Sequence, residues 1–324
     1  MEIRKGSTYP VKREKRKKRT LFSSLGFTLA EILVVIAVIG LLSSIIFAIT
    51  SGTREQGRIA KGLYFSQHLH NSLGSYAVGT WSFDEGFGTT ANDTSGWGNN
   101  GTLVNTPAWR CANEDSNHTP SGQGCSLEFD GENDYVNLSV GNNLDMGTND
   151  RTYEAWFKIN GSYASARTLF ASGAGGGGLG NDGVWAYVNS NTSFLIDFSD
   201  GTASRLNKTF SAGKSIHDGV WHHFAAVFDR DDFLDVYFDG VISSSGGLNI
   251  SSQSGDVNDN YIQRLGAWAS GGTYPFNGFV DEVRIYNTSL SLLQIQSQYY
   301  AGLQRLLAKN LISETEYQQR LVKT

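Results

Sequence analysis

From position 27 to position 49 the chain runs FTLAEILVVIAVIGLLSSIIFAI, twenty-three residues whose one charge is Glu31. An apolar run of this length leaves few fates. As a helix rising about 1.5 Å per residue it extends ~35 Å, enough to span a bilayer. A secretory signal is the competing reading, but its apolar core is shorter, about 7–15 residues, and ends at a small-residue cleavage site. The first twenty residues hold nine Lys/Arg against two Glu, whereas the rest of the chain is acidic. A basic cluster abutting an apolar helix is the cytoplasmic flank of a membrane segment. No basic patch recurs downstream, so nucleic acid is not expected as a partner.

A carboxylate inside a bilayer costs several kcal/mol unless it is paired, so Glu31 marks a function by itself. The string Gly26-Phe27-Thr28-Leu29-Ala30-Glu31, after a basic leader and before an apolar helix, resembles the N-terminus of type IV prepilins and pseudopilins. The resemblance implies that a prepilin peptidase cuts between Gly26 and Phe27 and methylates the new amino terminus. It also implies that Glu31 pairs with the free amino terminus of a neighbouring pilin subunit during filament assembly. Beyond position 49, Ile59, Leu63, Leu69, Leu73 and Tyr76 alternate with charged residues at helical spacing, extending the transmembrane and stem helix over 27–75.

After Tyr76 the apolar period changes from 3.6 to 2, and a dozen short aromatic runs are separated by Gly, Asn, Asp and Ser. With 38 Gly, 18 Phe, 14 Tyr and only 2 Met, this pattern predicts a mainly β, antiparallel sandwich over 78–290. Five motifs occur in order: TWSFDEGFG, LEFDGENDYVNL, YEAWFKI, DGVWHHFAAVFDRDDFLDVYFDGV and GFVDEVRIYN. Together they resemble the laminin-G-like, concanavalin A-like jelly roll. That resemblance implies a structural Ca²⁺ at one edge, with Asp281 as side-chain ligand and carbonyls near Glu85 and Gly131 as companions.

Cys111 and Cys125 lie fourteen apart. An exported head predicts a disulfide between them; two free thiols are the alternative. Trp185, Trp268 and Trp97 sit in or beside Gly-rich connections, where an indole face could stack on a sugar ring. Glu128, Asp130 and Glu132 have the E-x-D-x-E spacing of glycan hydrolases, but Gly131 starts a turn and takes Glu132 off the strand. Adjacent His222 and His223 point to opposite faces of a strand and cannot clamp one metal together. After Asn287 the chain turns helical over 291–324; Ser289 is the expected cap of the first helix and Ser313 of the second.

The chain thus divides into a basic leader (1–26), a transmembrane and stem helix (27–75), a jelly-roll head (78–290) and a helical tail (291–324). The expected protein is a non-enzymatic pilin-like subunit, held in the bacterial cytoplasmic membrane and then displayed at the cell surface. Its head is expected to act as an adhesin for a polysaccharide or glycan. A minor pseudopilin with a purely structural head is the alternative, and a tethered hydrolase a more distant one.

Overall fold

The computed structural model describes residues 28–41, 43, 73–138, 144–145, 147–159, 161, 166–173, 182–202, 204–257, 263–268 and 274–321. The chain divides into two compact units, Met1–Gln56 and Gly57–Thr324. In the first, residues 29–41 are helical, and nine large aliphatic side chains between Leu29 and Leu41 are each at least half exposed. Glu31 Oε2 accepts from the Thr28 amide and hydroxyl, both at 2.8 Å. Among the described residues no helix is long and apolar enough to cross a membrane. The leader with Gly26, then Phe27, and most of the expected helix beyond position 43 lie outside the described residues.

The second unit is an antiparallel sandwich. Among the described residues its larger sheet has nine strands. Their main path is Val241–Ile242, Phe233–Phe238, His222–Phe228, Arg151–Ile159, Asn277–Tyr286, Cys125–Asp130 and Ala108–Cys111. Ala77–Trp81 joins Asn277–Tyr286, and Leu248–Asn249 joins Phe233–Phe238. The smaller sheet has eight strands in the order Leu206–Ser211, Ser193–Asp200, Asp182–Ser190, Arg167–Gly173, Gln263–Leu265, Tyr135–Leu138, Gly101–Val104 and Thr90–Ala91. Period-2 alternation sends Val184, Ala186, Val188, Phe194, Ile196 and Phe198 of the smaller sheet inward against Phe157, Phe224 and Val280 of the larger. Phe194 and Phe224 stack across the sandwich at 4.7 Å.

All nine residues of Arg151–Ile159 are buried, because both faces of this central strand are covered. Tyr153, Ala155, Phe157 and Ile159 enter the core. On the opposite face the helices Leu292–Ala308 and Glu314–Arg320 press Tyr299, Leu303, Leu306 and Tyr317 onto Trp156, Trp221 and Phe279. Gly302 makes this approach possible: a Cβ there would lie 2.3 Å from the Trp156 ring. The first helix is capped by Ser291, whose amide donates to Gln294 Oε1 at 2.8 Å. Ser289, the expected cap, instead donates its hydroxyl to Asp150. Ser313 caps the second helix as expected, accepting from the Glu316 amide. Leu73 and Ala77 also pack on this helix-covered side, beside Leu290 and Ile295. The outer face of the smaller sheet is the side the tail leaves uncovered.

Candidate ligand-binding face

The register of the smaller sheet lines up one row of outward side chains. Asn207 pairs with Asp197, Asp197 with Trp185, Trp185 with Ala171, Ala171 with Arg264, and Arg264 with Asn137. A parallel row carries Thr209, Leu195, Tyr187 and Thr168. Trp185, Tyr187 and Ala171 form a small cluster on this face, with Leu195 and Trp268 packed against it. Tyr274 extends it, 5.8 Å from Trp268 and 6.2 Å from Tyr187 between ring centres. Its carbonyl accepts from the Thr168 amide at 2.8 Å, which anchors this part of the rim to the sheet.

Polar groups are set into the aromatic surface. Asp197 is buried, and one carboxylate oxygen meets Arg205 at 3.4 Å. Burial pushes its carboxyl above the usual range, and Arg205 works against that shift. Its other oxygen has no hydrogen-bond partner, and the same holds for Trp185 Nε1, Trp268 Nε1 and Thr168 Oγ1. Buried polar atoms are seldom left unpaired, and these four lie on one side of the smaller sheet. Arg264 donates to Asn137 Oδ1 at 3.0 Å and to the Trp268 carbonyl at 3.1 Å, with its guanidinium 5.2 Å from the centre of the Tyr135 ring.

Of the three tryptophans singled out by their Gly-rich surroundings, Trp185 and Trp268 come together here. Their roles differ from the expectation. Trp185 belongs to the strand Asp182–Ser190 and is fully buried, so it has no ring face to stack on a sugar, and its indole N–H is buried without a hydrogen-bond partner. Trp97 is 51% exposed but sits on the connection between Thr90–Ala91 and Gly101–Val104, four strands from Trp185 in the sheet order. Asp93 holds that connection by accepting from the Thr80, Ser95 and Asn99 amides. Asp197 and Arg264 were missed: single charges in strand-like runs carry no signal until register makes them neighbours.

Asp281 is buried, and its Oδ1 accepts from the Glu282 amide at 2.7 Å. Burial, then the charges of Glu282 and Asp84, raises its carboxyl well above the ordinary range. Gly131 cannot share an ion with it. The strand pairing puts Asn277 opposite Asp130, at the start of the FDG turn, and Asp281 stands four residues further along, ~13 Å away at strand spacing. Glu85 follows Asp84, which accepts from the Cys125 amide, and the adjacent Gly86 abuts both cysteine sulfurs. Among the described residues no three His, Cys, Asp or Glu side chains are grouped to hold a metal. Strand spacing thus keeps Gly131 apart from Asp281, and the carboxylates acting on Asp281 are Glu282 and Asp84.

Cys111 and Cys125 form the expected disulfide, linking two residues paired across neighbouring strands. Glu128 is tied to Arg110 at 2.6 Å, and the Glu132 amide sits in the turn, donating to Asp130. His222 bonds Asp239 and Asp218, while His223 lies on the opposite face against Trp156 and Tyr299.

No curated relative matches the chain by sequence. Solved structures with the same fold include the binding domain of Paraclostridial Mosquitocidal Protein 1, with a TM-score of 0.57 at 12% identity over 71% of this chain and 53% of that one. The botulinum neurotoxin serotype G binding domain gives 0.53 at 12% identity over 70% and 51%. The serotype D ligand binding domain, solved with N-acetylneuraminic acid, gives 0.51 at 13% identity over 72% and 53%. This chain thus spans about half of each, and at such identity the likeness shows the fold alone. Residues 130–296, just over half of the sequence, match the profile of a family defined by this two-sheet architecture, and the chain belongs to the concanavalin A-like lectin/glucanases superfamily.

Proposed function

We propose that the chain is a membrane-anchored, pilin-like or pseudopilin-like subunit whose lectin-like head binds carbohydrate on the outer face of its smaller sheet. One observation carries the binding reading. The face left uncovered by the tail joins an aromatic rim, Trp268 and Tyr274, to the buried carboxylate Asp197 and three further polar groups without partners. Aromatic rings for stacking, with a few fixed donors and acceptors, are what a sugar site needs. In this proposal the head recognises its ligand and does not transform it. The neighbours' role as toxin binding domains agrees with it.

The anchoring half rests on GFTLAE, the basic leader and the exposed apolar helix 29–41. In this reading a prepilin peptidase and other pilin subunits are the assembly partners, and the protein passes from the bacterial cytoplasmic membrane to the cell surface. A structural Ca²⁺ belongs to the same proposal, at Asp281 and Asp84, whose mutual repulsion a divalent cation relieves.

The test is a glycan and cell-wall polysaccharide array probed with the full chain in detergent. Selective binding that falls about tenfold or more in Trp268→Ala, with unchanged melting, supports the reading. Absence of binding by the folded chain sinks it in favour of a head that only contacts other subunits. Mass spectrometry of the cell-derived protein tests the anchor: an N-methylated Phe27 terminus is expected, and an intact leader in assembled material refutes it.

A further inference from the structure

We propose that the ligand of this face is an anionic saccharide, carrying carboxylate or sulfate groups, and that Arg264 is the residue that reads its charge. The inference rests on the sugar-binding reading above and narrows it.

Arg264 is half-buried on the strand Gln263–Leu265, and among the described residues no carboxylate pairs with it. Its two hydrogen bonds go to neutral acceptors, the Asn137 side chain and the Trp268 carbonyl, and its flat face is held near Tyr135. A guanidinium partly removed from water, without a counter-ion, favours an incoming anion. These three contacts also fix its plane, so little side-chain freedom is lost when a ligand binds.

The other polar groups of this face are buried. Trp185 Nε1 and Trp268 Nε1 are buried donors without partners, and the Thr168 hydroxyl can donate as well. On the acceptor side stand the same Thr168 hydroxyl and Asp197 Oδ1, the latter on a carboxylate already facing Arg205. The donors lie beneath the surface; the partly exposed Arg264, with no carboxylate beside it among the described residues, is the group that matches a ligand of negative charge. Asp197 and Arg264 are three strand steps apart in the row through Trp185 and Ala171, ~14 Å. That span exceeds one sugar ring, so the site suits an oligosaccharide in which Asp197 takes hydroxyls while Arg264 takes the acid group.

The experiment measures binding of the full chain in detergent to two matched pairs: polygalacturonate against its methyl ester, and dextran sulfate against dextran. The expected result is binding to the charged member of at least one pair, weakened by salt and lowered roughly tenfold or more in Arg264→Gln. Partial recovery in Arg264→Lys is expected, with the charge retained and the fork lost. The first pair identifies a carboxylate ligand and the second a sulfate ligand. Equal binding to charged and neutral members of both pairs overturns the proposal on the wild-type protein alone, whether or not the variants fold. Binding confined to neutral glycans, and lost in Trp268→Ala, overturns the anionic assignment while sparing the sugar-binding face. No binding to any glycan overturns both.

Discussion

Glu154 offers a direct test of the packing between the tail and the larger sheet. It lies in the middle of Arg151–Ile159, fully buried, with the Tyr286 hydroxyl nearby. Arg284 stands opposite it on the neighbouring strand, and Gln298 of the overlying helix reaches the nearby Tyr286 hydroxyl. Burial lifts the Glu154 carboxyl from 4.5 to about 7, even though Arg284 opposes the rise. Below pH 4.5 the group is protonated in both the folded and unfolded chain, and its contribution to stability is fully present. As pH rises toward 7 the unfolded chain releases the proton while the folded chain keeps it, so stability falls. Above 7 the loss is complete, about 3 kcal/mol from this one group. Glu154→Gln keeps the shape and removes the ionisation. Its unfolding free energy relative to wild type is therefore expected to improve by about 3 kcal/mol between pH 4.5 and pH 8. For a domain of this size that corresponds to roughly 6–12 °C in melting temperature. Denaturant unfolding followed by tryptophan fluorescence at several pH values measures it. A wild-type to variant difference that stays flat across that range, within about 0.5 kcal/mol, refutes the assignment of a buried, neutral Glu154.

Three further outcomes follow from the head's geometry. Cys125→Ser opens the Cys111–Cys125 link and is expected to lower stability by about 3 kcal/mol, with one thiol titrating where the wild type shows none. Gly302→Val places carbon against the Trp156 ring; a loss of about 1–3 kcal/mol is expected, with altered Trp156 emission as the helix lifts. Calcium should raise the melting temperature and EDTA reverse it, with both effects abolished in Asp281→Asn. A melt indifferent to calcium and EDTA removes the metal from the proposal.

The sandwich was legible because alternation is local. A strand with one face in the core declares itself in its own residues, as do turns such as Asp130-Gly131, where Gly131 takes a φ of +80°. The tail was legible for the same reason, since Ser313 and the apolar spacing of Leu303 and Leu306 mark helices without reference to any partner. The cap of the first helix was misplaced: Ser289 was expected, but Asp150, distant in sequence, takes its hydroxyl and Ser291 caps the helix instead.

The candidate site was only half legible. Trp185 and Trp268 stood out by composition, yet their proximity, the burial of one and the separation of Trp97 depend on strand order. Asp197 and Arg264 depend on it too, because a one-residue slip in register would turn either side chain to the other face. The same register separates Gly131 from Asp281, while a contact spanning forty-one residues, from Asp84 to Cys125, brings a different carboxylate near it. The sequence by itself determined the elements: apolar periodicity, turn residues and cysteine spacing are short-range properties that each segment carries alone. Only the tertiary structure decided which side chains share a face, because that depends on pairing between strands far apart in the chain.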